Sequence, residues 1–160
     1  MEIKFDDFLK FFPEIQLPVT LREDTFEEFS RELPPLPVAM IEHYLMEDDE
    51  EDDGMTEYIS CFRLPNTENF KALVYWKAGL LSYEYVLKTY TNDGLAVIDS
   101  YAIAGTTVNG TQIVQSIGMI AADMTVYIAT GEMADDEFQL DASKNRVQTV
   151  ELLENGMLEL

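Results

Sequence analysis

Seven consecutive carboxylates, Glu47-Asp48-Asp49-Glu50-Glu51-Asp52-Asp53, run into Gly54 and form the densest chemistry in the chain. Hard cations take oxygen ligands, so a calcium loop is the first chemistry to test. Asp49, Glu51 and Asp53 fit the first, third and fifth positions of an EF-hand loop, and Gly54 fits the sixth. The twelfth position is then Ser60, where a bidentate glutamate is needed, and a strand rather than a helix follows. The run reads instead as an exposed loop whose like charges repel and resist burial, with no specific metal.

Nucleophilic and metal chemistry need histidine or cysteine in groups, and here His43 and Cys61 stand alone. His43 lies between Glu42 and Tyr44 in a helical stretch and reads as a surface histidine. Cys61 lies within a strand beside Phe62 and reads as a buried structural thiol. A carboxylate pair could hydrolyse glycosides, and Asp99 and Asp123 each sit in apolar surroundings. Among thirty-one acids such placements arise by chance; Asp123 reads as a turn cap and Asp99 as a polar-face residue. No cofactor is implied. The glycine spacing at Gly105, Gly110 and Gly118 fits no phosphate loop.

The aromatic residues are the other candidate surface. Tyr75 and Trp76 are adjacent in a strand, so they point to opposite faces, and Tyr83 and Tyr85 share one face of the next strand. An aromatic on the face away from the main core would mark a partner or carbohydrate site, unless helices cover that face. The candidate binding residues are therefore Glu47 through Asp53 with Tyr75, Trp76, Tyr83 and Tyr85.

The elements that must position these groups change character near residue 55. Phe5, Phe8, Leu9 and Phe12 form one stripe of a short helix that Pro13 stops. Thr25 and Glu28 fit a capping box for a second helix, with Phe26 and Phe29 on its apolar side. Leu33-Pro34-Pro35-Leu36-Pro37 is an extended connector into a third helix ending at Met46, with Val38, Ile41, Leu45 and Met46 facing inward. Beyond residue 57 strand-like runs recur at about 57–64, 70–78, 81–91, 95–104, 111–121, 124–131, 137–142, 146–152 and 156–160. Asn92-Asp93-Gly94 predicts a type I′ hairpin turn, and Asn109-Gly110 and Asn155-Gly156 repeat that chemistry. Short connections make neighbouring strands antiparallel. Ser82–Lys88 should put Tyr83, Tyr85 and Leu87 on the core face and Glu84 and Lys88 on the polar one.

The expected fold is α+β. A seven-to-nine-stranded antiparallel meander, strongly curved or partly closed, carries short N-terminal helices. One domain spans 1–160: a helical segment over 1–46, the acidic loop over 47–56 and the β region over 57–160. With 47% hydrophobic residues the chain can build a core despite its formal charge of −21.

Ten basic residues against thirty-one acids give a field that repels nucleic acid and anionic membranes. No signal peptide and no membrane-spanning run are evident, so cytoplasmic residence is expected; a chain already trimmed of a leader reads the same. The first 56 residues hold seventeen acids and four bases, a net charge of −13, and the remaining 104 hold fourteen acids and six bases, a net charge of −8.

Phe8-Leu9-Lys10-Phe11-Phe12-Pro13 followed by Leu17-Pro18, and Leu87-Lys88-Thr89-Tyr90-Thr91-Asn92-Asp93-Gly94 leading into Ile98-Asp99-Ser100, resemble stretches of small uncharacterised bacterial proteins, many of them lipoproteins. The resemblance implies a mostly antiparallel β-domain behind a short helical N-terminus, and no activity comes with it. The lipobox cysteine of the lipoproteins has no counterpart here. The expected function is a non-enzymatic acidic binding or regulatory domain with a basic protein partner, in the manner of an immunity or inhibitor protein. The competing expectation is a small-molecule or glycan binder, or a weak hydrolase, with a cavity in the curved sheet near Tyr83, Tyr85, Tyr101 or Asp99. The sequence leaves the oligomeric state open.

Overall fold

The computed structural model describes residues 3–46, 55–134 and 145–160. Helix α1 is Phe5–Leu9, β1 is Val19–Leu21, α2 is Thr25–Glu32, and α3, Val38–Met40, runs into a π-helical turn over Ile41–Met46. The strands follow as β2 Glu57–Arg63, β3 Lys71–Ala78, β4 Ser82–Tyr90, β5 Val97–Asn109, β6 Gln112–Ile120, β7 Thr125–Ala134, β8 Arg146–Leu152 and β9 Leu158–Glu159. From β2 to β9 each strand pairs antiparallel with its neighbour in sequence, and β1 joins β6. The result is the α+β meander that the turn chemistry implies, and its sheet is open rather than closed.

The sheet curls because β5 parts from β6. The two pair only over Gly105–Asn109 and Gln112–Ser116, and β1 takes the edge of β6 over Gly118–Ile120 that β5 leaves. Gly118 permits this crossing: a Cβ there would overlap the Ile103 carbonyl oxygen. Curling brings the last hairpin back over the early strands. The Thr89 hydroxyl donates to the Gly156 carbonyl at 2.7 Å, and the Leu158 N–H donates to Asp99 Oδ2 at 2.8 Å. Asp99 thus anchors the C-terminal hairpin rather than lying idle on a polar face.

Two cores result, one on each face of β3 and β4. The interior core gathers Leu21, Phe62, Trp76, Tyr85, Ile103 and Val150, among others, inside the curl. The second core sets Phe5, Phe8, Phe12, Tyr44 and Leu45 of the helical segment against Leu73, Tyr75, Val86 and Tyr90. Lys88 accordingly departs from its expected polar exposure: it is 1% exposed, with Nζ 5.7 Å from the Tyr90 ring centroid. Covering both faces buries whatever the alternation places on either.

Local details also differ from the sequence expectations. Thr25 forms no capping box; Asp24 is the N-cap residue, and the Thr25 hydroxyl accepts from the Arg22 N–H at 2.9 Å. The π-turn changes which residues of the third helical stretch face inward. Tyr44 and Leu45 are buried and Val38 is 68% exposed, because the wider turn carries Tyr44 onto Phe8 at 4.4 Å between ring centroids. The loop after β4 is no type I′ turn. Gly94 alone takes positive φ, at 74°, and its N–H donates to Thr91 O, as Gly156 at φ 89° donates to Leu153 O. Strand β1 was not legible, and the strand expected at 137–142 lies outside the described residues.

Candidate functional site

The acidic run Glu47–Asp53 lies outside the described residues. Of the candidate aromatics, Tyr75, Trp76 and Tyr85 are buried, so they do not form an exposed patch. Tyr75 packs in the second core, against α1 and the π-turn, with its ring 6.0 Å from that of Tyr58. Trp76 points the other way, as its neighbour's placement requires, and lies on Phe26 of α2 with ring centroids 4.0 Å apart and planes 8° apart. Tyr85 is wholly buried; its hydroxyl donates to Arg22 O at 2.7 Å and accepts from the Phe26 N–H at 2.8 Å. Burial pushes its pKa far up, so it remains a neutral phenol clamping α2 to the sheet. Tyr83 is half-buried and its hydroxyl accepts from Thr106 at 2.8 Å.

Of the residues expected to line a cavity, Tyr83 borders a small cleft of about 110 Å3 with Thr106 and Ser116, and the other three are engaged within the fold. Tyr85 and Ile103 lie in the interior core, the Tyr101 hydroxyl accepts from Gln148 at 2.9 Å, and Asp99 is taken up by Leu158. Asp123 accepts from the Thr125 N–H at 3.0 Å, a turn cap as its position suggests. Among the described residues no three of His, Cys, Asp and Glu converge to hold a metal ion, and no helix is long and apolar enough to cross a membrane.

Cys61 is fully buried, and desolvation pushes its thiol far above the usual range. A thiol reagent should leave it untouched in the native protein and modify it on unfolding in urea. Mass spectrometry after a timed exposure reads this directly, and fast native labelling would contradict the burial.

Around α2 the fold presents charge outward. Helix α2 meets the sheet through Phe26 on Trp76 and Phe29 on Phe62 (5.7 Å). That spacing turns the rest of the helix to solvent, and Glu23, Asp24, Glu27, Glu28 and Glu32 are all exposed, with Arg31 as the basic residue of its last turn. Gln115 of β6 donates to Glu23 at 3.1 Å and steadies one end of the ridge.

A second feature was not foreseen from the sequence. A cleft of about 440 Å3 opens where α1, the π-turn and the β4–β5 loop meet, between Phe5, His43, Tyr44, Asp93, Leu95 and Val97. The Tyr90 hydroxyl donates to Tyr44 O at 2.8 Å beneath it, and Gly94 lies directly against the Phe5 ring. Asp93 Oδ1 accepts from the Leu95 N–H at 3.0 Å and from the Thr91 hydroxyl at 2.7 Å, and these two bonds hold its carboxyl below the usual carboxylate range. Comparison with protein-family models, with curated proteins and with solved structures gives no match to this chain.

Proposed function

We propose that this chain is a non-enzymatic acidic binding domain that captures a basic protein through helix α2 and the acidic residues just before it. The observation that carries the reading is the ridge at α2: five exposed carboxylates, Glu27, Glu28 and Glu32 on the helix and Glu23 and Asp24 just before it, with the helix fixed to the sheet by Phe26, Phe29 and the Tyr85 hydroxyl. Charges held on a rigid support steer an oppositely charged partner and fix its register. The chain's formal charge of −21 adds a field of the same sign. An immunity or inhibitor protein that neutralises a basic enzyme needs such a surface and no chemistry of its own.

The test is capture on the immobilised chain at low salt, followed by a salt gradient. The native protein should retain basic proteins that elute as salt rises. A variant with Glu27→Gln, Glu28→Gln and Glu32→Gln alters exposed positions only and should fold, yet release them at clearly lower salt. Elution of both proteins at the same salt would overturn the reading.

A further inference from the structure

The cleft beside Phe5 has the make-up of an anchor pocket, and we propose that it receives one arginine side chain of the basic partner. This rests on the reading of the chain as a binder of basic proteins and names the place where specificity is added to charge. Three features support it. Part of the wall is apolar: Leu95 and Val97 are 87% and 41% exposed at the lip, beside the buried Phe5 and Tyr44 rings, which stand 5.4 Å apart. The methylene stem of a basic side chain covers such surface while its charged head stays at the rim.

The rim carries a carboxylate of fixed orientation. With Oδ1 of Asp93 engaged by Leu95 and Thr91, the group is held in place to receive a guanidinium rather than swinging in solvent. The sign of the field favours a cation over an anion, because the chain carries a net charge of −21 and Asp93 stands at the opening. At about 440 Å3 the space also admits the apolar neighbours of the anchor, within the usual span of roughly 300–1,000 Å3 for binding pockets.

The experiment titrates the 15N-labelled full chain with the peptide acetyl-Gly-Leu-Arg-Leu-Gly-amide and follows the amides of Gly94, Leu95 and Val97. The same peptide with citrulline in place of arginine removes only the charge. The arginine peptide should shift those amides with saturation in the millimolar range, and the citrulline peptide should bind about tenfold more weakly. Asp93→Asn, which retains an acceptor for Leu95 and Thr91, and Leu95→Ala, at an exposed position, should each weaken the arginine peptide several-fold. Equal shifts from both peptides, or shifts only at Glu27, Glu28 and Glu32, would overturn the cleft assignment. That result leaves the salt-dependent capture by α2 standing, so the two readings fail separately.

Discussion

Phe8→Ala should cost about 3–5 kcal/mol, the range for emptying a buried aromatic site. Phe8 is fully buried, and its ring lies 4.4 Å from that of Tyr44 and 5.0 Å from that of Phe12. It also meets Phe5 at 6.2 Å and Tyr90 at 6.3 Å, so one side chain joins α1, the π-turn and β4. The site cannot collapse cheaply, because those partners are themselves pinned by the Tyr90 hydroxyl on Tyr44 O. A domain of ordinary stability holds only about 5–15 kcal/mol, so the loss is a large fraction of the whole. Urea unfolding followed by tryptophan fluorescence measures it as a fall in midpoint. Phe11→Ala, three residues along and only half-buried, serves as the comparison and should cost clearly less. Equal effects would mean that the helical layer is not held by the Phe8 contact.

Gly118→Ala should cost roughly 1–3 kcal/mol and lie at the upper end of that range for overpacking. The added methyl would collide with the Ile103 carbonyl oxygen, a backbone atom that no rotamer change can move aside. Relief would have to come from separating β5 and β6 at the point where β1 enters the sheet. Gly110→Ala is the control: nothing lies within 4 Å of a Cβ there, and its φ of 65° alone should cost about 1–2 kcal/mol. Denaturant midpoints for the two variants read the difference. A Gly118 variant as stable as the Gly110 one would show that the strands do not cross so closely.

The sequence carried the meander because its signals are local. Period-two alternation and turn residues at Gly79, Asn109-Gly110 and Asn155-Gly156 suffice to order neighbouring strands. Three things needed the tertiary structure. Strand β1 is three residues long and pairs with β6 about a hundred positions away, so no pattern near Val19 announces it. Lys88 alternates like a surface residue, and only the packing of the helical layer over β4 buries it. The aromatics Tyr75, Trp76 and Tyr85 stand out by type, but type does not distinguish a clamp from a docking surface; the ring of Phe26 on Trp76 and the bonds of Tyr85 to α2 do.

The cleft was hidden for a similar reason. Phe5, His43, Asp93 and Leu95 come from three separate elements, and each is unremarkable in its own stretch of sequence. The acidic ridge was half visible. Phe26 and Phe29 marked the buried side of α2, and the glutamates between and beyond them follow from helical spacing. The fixing of that helix through a phenol on a distant strand was not visible.

The measurement that tests the central claim most directly is the rate at which a captured basic partner associates with the chain as ionic strength rises. Steered association falls steeply with salt, by roughly tenfold or more between low and physiological ionic strength. The native chain should show that fall. The Glu27→Gln, Glu28→Gln, Glu32→Gln variant should associate more slowly at low salt and lose much of the slope. Identical rates and identical slopes for the two proteins would contradict the account.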